Sequence, residues 1–99
     1  MNIREKILDD TKAIVCKDRN QQYGEPEDNF RSIANFWNDY LEQRRIIIKS
    51  LKTADVAMMM DLLKTARIAG AENPTYDSFV DKCGYTACAA EIIFKEDTE

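Results

Sequence analysis

The chain has 99 residues, 44% hydrophobic and 32% charged, which describes one globular domain with a small core rather than a disordered segment. Fourteen basic and eighteen acidic residues leave a formal charge of −4, which excludes an extended nucleic-acid or anionic-membrane footprint. Histidine is absent, so the usual general base, the commonest metal ligand and the Ser-His and Cys-His nucleophile pairs are all missing; catalysis would fall to carboxylates, Lys or Tyr with an oxygen-liking cation such as Mg²⁺ or Mn²⁺.

A first helix is predicted from Ile3 to Cys16, with Ile3, Ile7, Leu8, Ile14 and Val15 on one stripe. Its charged start has no apolar signal region, and no apolar run nears the roughly 18 residues of a spanning helix, so a cytoplasmic protein away from membranes is expected. A loop follows around Tyr23-Gly24. Pro26 then suits the first position of a second helix, where its missing N–H costs nothing, and Glu27 and Asp28 suit the positive end of the helix dipole. Phe30, Ile33, Trp37, Tyr40 and Leu41 repeat at helical spacing and are expected in the core. Ile46-Ile47-Ile48 reads as a connector or a frayed helix end.

Thr53 reads as the N-cap of a third helix with Asp55 in its first turn, ending at Gly70. Val56, Ala57, Met58, Met59, Met60, Leu62, Leu63, Ala66 and Ile68 make this helix apolar nearly all round, and the Met run is expected to pack in the core. Asp61, Lys64 and Arg67 form its polar stripe. A turn at Asn73-Pro74 leads to a fourth helix from Tyr76 to Phe94, and Lys95 to Glu99 form a polar tail. The predicted fold is an all-α antiparallel four-helix bundle over residues 1–94, and a chain this short gains by burying more surface in a homo-oligomer.

On the fourth helix, Phe79, Val80, Cys83, Ala87, Ala90 and Phe94 share one face, while Asp77, Asp81, Gly84 and Cys88 share the opposite stripe with Tyr85 beside it. Cys83 and Cys88 lie about 140° apart and lack metal-ligand spacing, so the cysteines read as free thiols. A solvated stripe would carry Lys, Glu or Gln in place of Gly, Cys and Tyr. Gly84 costs about 1 kcal/mol relative to Ala inside a helix, which suggests that another helix, a subunit or a ligand approaches its backbone. Asp77 and Asp81 then need a counter-charge, because two enclosed carboxylates one turn apart repel. Either a divalent cation supplies it, or Lys64 and Arg67 do so in an interhelical network.

Three blocks carry a resemblance: Arg19 with Tyr23-Gly24-Glu25-Pro26 and Asp28-Asn29-Phe30; Asp55-Val56-Ala57 with Met59-Met60, Lys64 and Arg67; and Asp77 with Asp81 and Gly84-Tyr85. Over residues 18 to 90 the chain resembles small phage and prophage proteins of unassigned function and, more distantly, the MazG-like all-α nucleoside triphosphate pyrophosphohydrolases and the nucleotide-modification-associated domains of phages. This resemblance implies an oligomeric bundle whose acidic cluster holds Mg²⁺, or Mn²⁺, against nucleotide phosphates while a metal-bound water attacks phosphorus. It implies Asp55 and Asp81 as catalytic residues, and Asp55, Asp77, Asp81, Glu25 and Asp28 as metal ligands. Lys64, Arg67, Arg19, Tyr23 and Tyr85 would contact the nucleotide. The MazG-like signature has Glu-x-x-Glu on one helix and Glu-x-x-Asp on the next, whereas this chain has Glu25 and Asp28 at a helix start and no acid three residues after Asp55. The metal site is therefore rearranged or lost, and the alternative is a non-catalytic phage protein that binds a host protein or sequesters a nucleotide on the same scaffold.

Overall fold

A computed structural model describes residues 2–18, 25–46 and 49–98. Among them there are four α-helices and no strand: α1 (Ile3–Ala13), α2 (Pro26–Arg44), α3 (Thr53–Gly70) and α4 (Tyr76–Thr98). The Asn2 side chain caps α1 by accepting from the Glu5 N–H at 2.9 Å. Beyond Ala13 the chain continues as a π-helical turn, Ile14–Asp18, where a single α-helix to Cys16 is predicted.

Pro26 opens α2 as expected, with Glu27 and Asp28 in its first turn. The helix ends at Arg45, whose left-handed backbone (φ 55°) closes the turn. Ile46 is exposed beyond it, and Ile47 and Ile48 lie outside the described residues. Asn38 fastens the following connection, donating to the Leu51 carbonyl at 3.0 Å and accepting from its N–H at 2.7 Å. Lys52, rather than Thr53, is the N-cap of α3, because the Asp55 carboxylate folds back to accept from the Lys52 N–H at 2.8 Å.

α4 is the central element, packing along α3 and against α1. The core is small: Phe30 and Ala34 from α2, Val56 and Ala57 from α3, and Cys88 and Ala89 from α4. Val15, Ile33, Trp37, Met60, Tyr85 and Ile92 pack against it. Polar ties complete the assembly. The Tyr76 hydroxyl donates to Asp10 at 2.6 Å while Lys6 pairs with Asp10 at 2.8 Å, joining α1 to the start of α4. Lys95 pairs with Glu27 at 2.9 Å, joining the far part of α4 to α2.

Gly84 is buried, and the group that approaches it is the π-helical turn. A Cβ at this position would stand 2.6 Å from the Val15 Cγ2. Several apolar expectations are corrected. Met58 and Met59 are exposed, so only Met60 of the Met run joins the core. Tyr40 of α2 and Ile3 and Leu8 of α1 are also exposed. On α4 the face of Phe79 is split: Phe79, Ala87, Ala90 and Phe94 are exposed while Val80 is buried, and Gly84 and Cys88 of the opposite stripe are buried with Ala89. α4 has apolar residues on both sides, and small ones, Gly84, Cys88 and Ala89, allow the closer approach of neighbouring helices.

Candidate functional site

α3 and α4 run antiparallel and exchange two ion pairs. Lys64 of α3 reaches Asp81 of α4 at 3.0 Å, with side chains only 13% and 22% exposed. Lys82 of α4 reaches back to Asp61 of α3, which also accepts from the Thr86 hydroxyl. Each helix thus contributes one acid and one base. Asp61 and Lys82 were not singled out from the sequence, although Asp61 shares the polar stripe of Lys64 and Lys82 adjoins Asp81.

Asp61 is buried, and burial alone would push its carboxyl up. The hydrogen bonds from Lys82 and Thr86 and the charge of Lys82 together outweigh that and hold it below its ordinary value of 3.8. A carboxyl with a lower pKa folded than unfolded stabilises the fold above its unfolded pKa, and that contribution is lost as pH falls through the folded value. Acid unfolding followed below about pH 4 is therefore expected to be steeper for the wild type than for Asp61→Asn.

The other predicted site residues are dispersed. Asp77 is exposed one turn before Asp81. Asp55 is occupied at the start of α3. Glu25 is exposed just before α2, and Asp28 pairs with Arg31 at 3.1 Å. Arg67 is exposed, and Arg19 and Tyr23 lie outside the described residues. Among the described residues no three acidic or cysteine side chains come close enough to hold a metal ion. Among the described residues the predicted ligands are not gathered at one point, and a charge beside Asp81 is the Lys64 ammonium.

What the fold does build is a groove of about 500 Å³ between the π-helical turn, α2 and α4. Ile14 and Val15 form one wall, Phe30, Ile33 and Phe36 another, and Val80, Gly84, Tyr85 and Cys88 the floor. The Tyr85 ring stands 6.0 Å from that of Phe30 in a tilted arrangement. Among the described residues Asp81 is the single charged member of the lining, and Asn29 and Ser32 add polar groups. Among the described residues Tyr85 is a predicted nucleotide contact that lines this groove; Ile33, expected only as core, and Phe36, not singled out from the sequence, line it too.

Burial pushes the Cys88 thiol up to about 11, with smaller pushes from Glu91 and Cys16. At pH 8 a thiol-reactive probe is expected to label exposed Cys16 first and Cys88 far more slowly, which peptide mapping of the labelled protein checks.

Comparison with known proteins agrees with a phage-type chain. The sequence is 38% identical over 95 residues to the Gene 55 protein of Mycobacterium phage D29, covering 96% of this chain and 58% of that protein. It is 35% identical over 92 residues to the Gene 55 protein of Mycobacterium phage L5, covering 92% of this chain and 54% of that one. The chain thus spans little more than half the length of these relatives. No solved structure matches it significantly. A family model described as a domain of unknown function (DUF6378) matches residues 6–93, nearly the whole chain, and the protein belongs to that family.

Proposed function

We propose that this chain is a non-catalytic protein-binding module that takes apolar side chains of a host protein's helix into the groove between the π-helical turn, α2 and α4. The lining carries this reading: among the described residues it is apolar apart from Asn29, Ser32 and Asp81, with no Lys or Arg. Apolar grooves of this kind receive the anchor residues of an amphipathic helix, and the formal charge of −4 favours a basic one. Phe36, 72% exposed and yet part of the wall, supplies an open aromatic contact.

The second reading is a nucleotide-binding protein, in its strongest form a Mg²⁺-dependent pyrophosphohydrolase. Phe36 and Tyr85 support it, since a base stacks on such rings. Among the described residues of the lining its phosphates would meet Asp81, with Lys64 already engaged by that carboxylate.

Titration followed by residue-resolved NMR separates the two. A basic amphipathic helical peptide should shift the resonances of Ile33, Phe36, Val80 and Tyr85. Phe36→Asp should weaken its binding about thirtyfold, corresponding to loss of one anchor of about 2 kcal/mol. Nucleoside triphosphates with Mg²⁺ should leave those resonances in place and release no pyrophosphate. Nucleotide-dependent shifts at the groove, or peptide shifts only elsewhere, would reject the protein-binding reading.

A further inference from the structure

We infer that Cys16 and Cys88 form a thiol–disulfide exchange site: Cys16 captures a small disulfide and Cys88 resolves it, leaving an intramolecular bond that ties the π-helical turn to α4. The two residues lie near opposite ends of the chain, and the fold brings them to one cavity of about 210 Å³ that Glu25, Glu27 and Glu91 also line. Their meeting follows from how α1 and the turn run alongside α4, in the same direction. Asp10 and Lys6 meet Tyr76 at the start of α4. Thr11 and Val15 then stand over Gly84. Cys16 follows Val15 directly, and Cys88 lies one helical turn beyond Gly84 on the same stripe. Gly84 permits this approach, since a Cβ there would stand 2.6 Å from Val15 Cγ2.

The two thiols differ in the way the exchange requires. Cys88 is buried and Cys16 is exposed. Free cysteine is among the most buried residue types, so packing accounts for Cys88 and leaves Cys16 unexplained. An accessible thiol beside a second, resolving thiol is the arrangement by which oxidation is captured and made reversible. The Cys88 thiol is raised to about 11 by burial, then by Glu91 and by Cys16, so the two sulfurs are near enough to sense each other and closure is slower than capture. In the first step the Cys16 thiolate attacks one sulfur of the reagent, whose S–S bond breaks and releases one thiolate. In the second the Cys88 thiolate attacks the Cys16 sulfur and expels the other half. The two cysteines give up two electrons and two protons, and the reagent leaves as two thiols. The glutamates around the cavity favour a cationic disulfide, such as cystamine, over an anionic one.

No step depends on what the groove binds. Reduced wild-type protein treated with cystamine should first gain about 75 Da as the Cys16 mixed disulfide, then pass to a monomer about 2 Da lighter than the starting chain. After the remaining thiols are blocked, digestion with trypsin and chymotrypsin, which cuts after Tyr85 and so separates Cys83 from Cys88, should yield Cys16 linked to Cys88. The closed form should melt roughly 10 °C higher than the reduced one, because the bond closes a long loop. Cys16→Ser, a change at an exposed position, should give no lighter species, and Cys88→Ser should stop at the mixed disulfide. The wild-type peptide map tests the pairing even if a variant fails to fold. A Cys16 adduct that persists in the wild type overturns the inference, as does a bond to Cys83, a covalent dimer in place of the lighter monomer, closure that occurs only in urea, or a closed form that melts no higher than the reduced one.

Discussion

Asp81→Ala is expected to cost about 2 to 3 kcal/mol of stability, lowering the melting temperature by roughly 10 to 20 °C for a domain of this size. The loss comes less from the attraction itself than from what remains. Lys64 is only 13% exposed, so without Asp81 its ammonium is held between α3 and α4 with little water to replace its partner. The figure is set below the 3 to 5 kcal/mol of fully buried pairs because both side chains keep some contact with solvent. Urea unfolding of Asp81→Ala, Lys64→Ala and the double variant should give a coupling energy of about 1 to 3 kcal/mol. If Asp81→Asn raised stability instead, repulsion from Asp77 would outweigh the Lys64 pair and the structural role assigned here would fail.

Gly84→Leu should loosen the N-terminal part of the molecule more than any change on the surface of α4. Even a bare Cβ would stand 2.6 Å from Val15 Cγ2, and valine is stiff about χ1. Replacing glycine in a helix interior gains about 1 kcal/mol of propensity, whereas overpacking typically costs 1 to 3 kcal/mol and more for a side chain with no space at all. Gly84→Ala is therefore expected to be close to balanced, with a net loss of about 1 kcal/mol, and Gly84→Leu to lose about 3 kcal/mol. The strain falls on the junction between α4 and the π-helical turn, so hydrogen exchange should report lost protection in α1 while α3 and α4 stay protected. Uniform loss of protection would show that α1 is not a separable layer.

Helix positions were largely legible because their punctuation is local. Pro26 with Glu27 and Asp28 opens α2, Asp55 marks the first turn of α3, and Gly70 marks its end. The faces were less legible. α3 and α4 are apolar on more than one side, so periodicity alone could not choose between Phe79 with Phe94 and Gly84 with Cys88 as the inner residues of α4. Residue size decides that choice in three dimensions, and Gly84 was the one position whose cost pointed to it. The Met run misled for the same reason: hydrophobicity marks a residue that needs cover, without saying whether the same chain provides it.

For the site, the sequence offered two kinds of partner for Asp77 and Asp81, a divalent cation or Lys64 with Arg67, and the fold brings Lys64 to Asp81 while Arg67 is exposed. The acids proposed to share a metal stand instead at the start of α2, at the cap of α3 and on successive turns of α4. The groove was invisible in advance because its walls come from segments distant in the chain, each apolar for ordinary packing reasons.

The paired charges between α3 and α4 also fix the register of the helical hairpin. If α3 slid one turn toward the start of α4, Lys64 would still meet an acid, Asp77, and that contact alone would leave the two alignments nearly equivalent. Asp61 would then face Ser78 in place of Lys82, stranding a buried carboxylate. A slide in the other direction would set Lys64 against Tyr85 and Asp61 beyond its lysine. Asp77 thus supplies a decoy one turn away, and the second pair, Asp61 with Lys82, removes the ambiguity it creates, so that an otherwise smooth apolar contact between two helices has a single alignment.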